Sequence, residues 1–225
     1  MIGFIKCGIL CIIMNSNKQL IFFVAHLDDY EFSCLSYLFK HHHKYDTIKV
    51  IIATHWDYKK DIWLANLEQI EEIIGKKVEY HNLSFSQRTL TKYFDEMKDK
   101  FYGIVDFNSN FDIVTHDTND AHSDHISVHK ASFGIFKYCN RFVTIYSPSS
   151  VNFVPNYYIE MSEEEFDAKH KFLTNYDFLK EESYSKKGSY FRKEYTNVAS
   201  IYAMENFINC DMQYCEIYKI YKWVE

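Results

Sequence analysis

The sequence predicts an α/β fold: a Rossmann-like, doubly wound sheet, mostly parallel, with helices on both faces. Three observations carry this expectation. Apolar runs of strand length recur without polar alternation, the pattern of strands buried on both faces. Stretches of helical periodicity separate them, which implies crossover connections. Two polar clusters lie just past the ends of two of these runs, at the sheet edge where such folds bind ligands.

The elements follow in order. Leu20 to Ala25 is the first buried strand, and residues 31–43 form a helix with Phe32, Leu35, Leu38 and Phe39 on one stripe. Ile48 to Ala53 is the second strand. A helix from Asp61 runs through Leu64, Leu67, Ile70, Ile73 and Ile74, with Gly75 as its C-cap. Residues 77–81 are a third strand and 89–101 a helix. Residues 111–115 are a strand, 122–139 a helix, and 141–146 another strand. Further on, 157–161 is a strand. Ser162 and Glu165 make a capping box for a helix to about Lys180. Residues 181–196 are a polar loop, and 214–224 a closing strand.

At 225 residues the chain can bury a full core as one domain over residues 19–225. Residues 1–18 are expected to be an extension. Within it, Gly8 to Met14 is apolar but too short to span a membrane, and no small-residue cleavage site follows. A weak leader upstream of a start at Met14 and a weak anchor both remain open. The net charge of −6, without a basic block, excludes an electrostatic footprint for nucleic acid or anionic lipid. Six scattered cysteines form neither a structural zinc motif nor a disulfide framework, so reduced thiols in a cytoplasmic protein are expected. The 19 Tyr and 19 Phe fit a biased genome or a stacking surface for sugar rings. His41, His42 and His43 read as a solvated helix end.

The clusters are Ala25-His26-Leu27-Asp28-Asp29 and His122-Ser123-Asp124-His125. His26 and Asp29 are three apart across a tight turn, so both can face one ion. His122 and His125 are an i, i+3 pair on one helical face. A catalytic zinc takes three protein ligands and leaves a fourth position for water. His26, Asp29 and His125 fill that role, leaving Asp28 and His122 for chemistry. A helical site of His122, His125 and His129 is the alternative, although His129 reads more simply as an ordinary helix residue.

Together, His26, Asp28, Asp29 and Glu31, then Thr115, His116, Asp120, His122, Asp124 and His125, resemble the two motifs of the LmbE-like zinc N-deacetylases. That family includes N-acetylglucosaminyl-phosphatidylinositol de-N-acetylase (PIG-L). The resemblance implies a zinc ion, or another divalent ion, on His26, Asp29 and His125. It also implies Asp28 as general base and His122 as stabiliser of the oxyanion, with Asp124 holding His122 in the right tautomer. The expected activity is hydrolytic removal of acetyl from an N-acetylated amino sugar or its conjugate. A hydrolase of another acyl amide and a silent glycan-binding module of the same fold are the alternatives.

The chain departs from the family pattern in several places. Leu27 stands where the family has Pro, and Ser33, Leu35 and Ser36 replace glycines. No Arg occurs before Arg88, so the family's substrate-binding Arg is missing, and Lys59 or Lys60 is its expected stand-in. Tyr176 takes the place of a late His. Trp56, Tyr58 and Lys59, just past the second strand, and the 181–196 loop are expected to contribute to a sugar pocket. An edge-packing role for Trp56 is the alternative.

Overall fold

The continuous apolar runs become the interior of a seven-stranded sheet. The computed structural model describes residues 17–55, 59–176, 196–206 and 213–224. The strands are β1 (Lys18–Val24), β2 (Thr47–Thr54), β3 (Glu79–Phe85), β4 (Asn110–His116), β5 (Arg141–Ile145), β6 (Tyr157–Glu160) and β7 (Cys215–Trp223). Their spatial order is β3-β2-β1-β4-β5-β7-β6. β1 to β5 pair in parallel, and β7 runs antiparallel to both β5 and β6. The chain thus winds outward in both directions from the β1/β4 pair, which makes the C-terminal end of that pair the switch-point crevice.

Leu20 to Ala25 are fully buried, and their alternation divides two cores. Leu20, Phe22 and Val24 face one side, with Trp63, Leu67, Phe172 and Leu173. Ile21, Phe23 and Ala25 face the other, with Met97, Phe101, Val128 and Ala131. Each large apolar side chain withdrawn from water contributes about 1.5–3 kcal/mol. A polar substitution anywhere from Leu20 to Ala25 would therefore fail on one face or the other.

The helices are α1 (Leu27–Ser33), α2 (Leu35–His41), α3 (Lys60–Ile74), α4 (Phe94–Ile104), α5 (Ser123–Phe133), α6 (Glu163–Thr174) and α7 (Val198–Asn206). Gly75 ends α3 in the left-handed region (φ 63°), as its sequence position predicts. Ser162 and Glu165 form the expected capping box of α6. Other boundaries differ from expectation. The helix expected over 31–43 starts earlier, capped by His26, and breaks at Cys34 into α1 and α2.

The helix expected from 89 begins only at Phe94, because residues 86–93 are turns around Arg88, whose φ is 63°. α5 ends at Phe133 rather than 139; beyond it the amides of Gly134 and Ile135 reach back three residues, tightening the chain into turns. α6 stops at Thr174, short of the expected Lys180. The strand expected over 77–81 lies at Glu79–Phe85, and Lys18, assigned to the extension, opens β1. The 181–196 loop falls almost wholly outside the described residues, and α7 follows it unanticipated. Among the described residues no helix is long and apolar enough to cross a membrane.

Candidate metal centre

Both polar clusters meet at the end of the β1/β4 pair. β1 stops at Val24, and His26 takes an extended conformation as the N-cap of α1. One turn later, Asp29 accepts the His26 amide on Oδ2 at 2.8 Å and lies 3.1 Å from His26 Nδ1. β4 ends on His116. After a loop, His122 caps α5 and His125 projects from the first turn. One donor atom each from His26, Asp29 and His125 lies within 4.8 Å of the others.

Two carboxylates back the two imidazoles. Asp120 Oδ2 accepts from His125 Nδ1 at 2.9 Å, and Ser147 Oγ and Ser149 Oγ each donate to Asp120 at 2.6 Å. With Nδ1 committed to Asp120, Nε2 is the nitrogen of His125 that offers a lone pair once the ring gives up its second proton, as it does to a metal ion. That atom is buried, has no hydrogen-bond partner among the described residues, and lies 3.4 Å from Asp29 Oδ1. Behind the other imidazole, Asp124 Oδ2 lies 3.3 Å from His26 Nε2. Asp124 also accepts the amides of Arg88 (2.6 Å) and Leu90 (3.4 Å).

The Asp124 carboxylate is therefore spent on His26 and the Arg88 loop, not on His122 as expected from the sequence. It is the Asp124 backbone amide that reaches His122, donating to Nδ1 at 3.2 Å and leaving the His122 proton on Nε2. A capping geometry performs the task assigned to the side chain.

The field in the crevice calls for positive charge. Burial opposes a charge on His26, but Asp29 and Asp124 outweigh it and push the imidazole up to about 10. His125 is likewise pushed up to about 9, against burial, by Asp29 and Asp120. Burial works to raise Asp29, yet His125, His116 and His26 hold it well below the usual carboxylate range. His122 differs: burial and then the neighbouring His125 lower it, so it is neutral at pH 7.

This donor set fits a divalent ion. Two imidazoles and a carboxylate are a catalytic zinc complement, and donors about 2.1 Å from a tetrahedral ion lie roughly 3.4 Å apart. That is the separation of His125 Nε2 and Asp29 Oδ1. A mixed nitrogen and oxygen set also accepts other divalent metals.

Two overlapping groups, His26/His122/Asp124 and His116/Asp120/His125, also lie within ligand range. Their atoms are more fully engaged in hydrogen bonds. His116 Nε2 accepts the Ala25 amide at 3.0 Å, and its ring stacks on His125 at 3.8 Å. Burial lowers His116 to about 4, which makes it a neutral platform beneath the centre. His129 stands apart from these groups: its Nδ1 is bonded to the His116 carbonyl at 2.8 Å and its ring packs on Phe133 and Phe142.

Asp28 points to the crevice rim, where Lys59 Nζ lies 3.2 Å from its Oδ2. Lys59 also stands 5.5 Å from the Tyr176 ring centroid, and the Tyr176 hydroxyl donates to buried Glu31 at 2.6 Å. Burial raises Glu31 to about 8 against that hydrogen bond and a second one donated by Asn66 Nδ2 at 2.7 Å. Trp56 and Tyr58 lie outside the described residues. Sequence reasoning assigned no role to His116, Asp120, Ser147, Ser149 or Arg88. Only His116 and Asp120 carried a signal, as members of the second motif.

No family model matches this chain, and no curated protein sequence matches it. Solved structures do. A teicoplanin deacetylase in a zinc-inhibited form is 13% identical with a TM-score of 0.62, over 90% of this chain and 97% of that one. The N,N′-diacetylchitobiose deacetylase of Pyrococcus horikoshii is 12% identical with a TM-score of 0.59, over 92% and 84%. The 4-carboxy-2-hydroxymuconate hydratase GalB of Pseudomonas putida is 13% identical with a TM-score of 0.60, over 92% and 98%. The chain therefore has the fold that its resemblance to the LmbE-like deacetylases implies, a fold shared with at least one hydratase.

Proposed function

We propose that the chain is a divalent-metal-dependent amidohydrolase, with zinc the first candidate ion, that removes acetyl from an N-acetylated amino sugar or its conjugate. The observation that carries this reading is His125 Nε2. It is a buried ring nitrogen fixed in direction by Asp120, with Asp29 beside it and no hydrogen-bond partner among the described residues, ready to exchange a proton for a metal ion.

His26, through Nδ1, Asp29 and His125 would hold the ion, with Asp124 and Asp120 orienting the two imidazoles from behind. A bound divalent ion would polarise the amide carbonyl and lower the pKa of an attacking water. Asp28 Oδ2 faces Lys59, which leaves Oδ1 to accept the proton of that water. His122, neutral and protonated on Nε2, donates to the carbonyl oxygen as negative charge develops there. The proton taken by Asp28 then serves the departing amine. Trp56, Tyr58 and Lys59 flank the sugar in this reading, and the buried free thiols Cys34, Cys139 and Cys215 suit a cytoplasmic setting.

Fold does not fix reaction class, as the hydratase neighbour illustrates. Elemental analysis together with acetate release from N-acetylglucosamine derivatives decides the matter. One equivalent of metal, with acetate release abolished in Asp28→Ala while the metal stays bound, is the expected result. A wild-type chain that binds no metal after reconstitution overturns the reading. Metal without acetate release from any acetamido substrate redirects it to another acyl amide or to hydration.

A further inference from the structure

The end of β3 and its connection to α4 hold two of the three non-glycine residues with positive φ among the described residues, Ser84 at 61° and Arg88 at 63°. Arg88 is the third residue of a turn closed by the Thr89 amide on the Ser86 carbonyl at 3.3 Å. At that place a positive φ favours glycine or asparagine. The turn delivers the Arg88 amide to Asp124 Oδ2 at 2.6 Å, one residue away from the candidate centre. Any residue supplies an amide, and glycine would do so without strain. What arginine adds is a guanidinium, carried on an exposed residue and making no ion pair or hydrogen bond among the described residues. Across the crevice, Lys59 is engaged with Asp28. Backbone strain is retained where the surroundings over-determine it, and it clusters at binding sites.

We propose that Arg88 is a specificity-determining residue whose guanidinium binds a phosphate group on the substrate. The substrate is then a phosphorylated N-acyl amino sugar, free or as a conjugate. This inference rests on the deacetylase reading for the sugar but not for the anion. A guanidinium matches two phosphate oxygens in a planar fork and remains charged at every working pH. The ring bearing that phosphate would lie over His26 and His122, between the Arg88 turn and Asp28.

The test uses the full zinc-loaded chain with Arg88→Gly and Arg88→Asn, both of which accept the left-handed backbone and keep the amide to Asp124. Calorimetry compares glucosamine, glucosamine 1-phosphate, glucosamine 6-phosphate and a uridine diphosphate conjugate, and acetate release is measured on their N-acetylated forms. Wild type is expected to bind at least one phosphorylated probe roughly 10- to 100-fold more tightly than glucosamine. Both variants lose that preference and bind glucosamine unchanged, and the conjugate separates a nucleotide sugar from a free sugar phosphate. No preference in wild type, a preference that survives in both variants, or equal weakening of every probe overturns the assignment. A preference lost in the variants with no acetate released from any probe upholds Arg88 and overturns the deacetylase reading. Acetate release without any phosphate preference does the reverse.

Discussion

At the scale of single residues, the centre is defined by what stands behind each ligand. Asp120 joins His125 to Ser147 and Ser149, so its carboxylate fixes one imidazole through a cross-loop tie. Asp120→Asn keeps the size but removes the charge that orients His125. Metal affinity in a chelator competition should fall about 10- to 100-fold, while Ser149→Ala costs less because Ser147 still holds Asp120. Away from the site, His41 offers a pH test. Lys44 donates to its Nδ1 and its Nε2 meets the Tyr157 hydroxyl, each at 3.1 Å. Burial, and then Lys44, lower the imidazole to about 3. The unfolded chain protonates His41 near 6.5 and the folded chain does not, so the unfolded state binds more protons between about 6.5 and about 3. Stability should fall on acidification through that window by up to about 1.4 kcal/mol per pH unit from this residue. In urea titrations at stepped pH, His41→Gln should flatten the slope; an unchanged slope would remove His41 from the account.

At the scale of elements, α6, α2 and β7 are held together by a buried ion pair. Lys169 Nζ lies 2.7 Å from Glu216 Oε1, and the other Glu216 oxygen accepts from the Ser36 amide at 3.0 Å, the Ser36 hydroxyl at 2.8 Å and the Tyr218 hydroxyl. Lys169→Met leaves a carboxylate buried and uncompensated, which costs about 3–5 kcal/mol. Chemical denaturation should show that loss, and the double variant Lys169→Met with Glu216→Leu should recover part of it. The same elements show which parts of the fold could be read in advance. Strands β1, β2, β4 and β5 were legible because both faces are covered, so burial is written into every position. Helix limits were less so, because they depend on partners far along the chain. The Arg88 turn, which delays α4, is anchored by Asp124, 36 residues on. Ser36, just past the Cys34 break, is tied to Glu216, 180 residues away.

At the scale of the whole molecule, the sheet order explains why two clusters almost a hundred residues apart form one centre. β1 and β4 are parallel neighbours at the reversal of strand order, so the first residues after each must share a crevice. His26, Asp29, His122 and His125 were legible for that reason: each pair is local in sequence, and the alternation of strands and helices supplies the rest. Asp120's serine partners were not, because Ser147 and Ser149 arrive from the loop after β5 and carry no local pattern. Nor was the swap at Asp124, since a side chain and a backbone amide of one residue look alike in a motif. The assembled crevice gathers Asp28, Asp29, Asp120 and Asp124 around the four imidazoles of His26, His116, His122 and His125, and a divalent cation should therefore stabilise the folded chain itself. Zinc at 100 times its dissociation constant would contribute about 2.7 kcal/mol, a rise in Tm of about 5–10 °C for a chain of this length. Asp28→Ala should keep that shift, because Asp28 is outside the ligand set, whereas His125→Ala should abolish it. A shift retained in His125→Ala would place the ion elsewhere, on the His26, His122 and Asp124 group that shares the crevice.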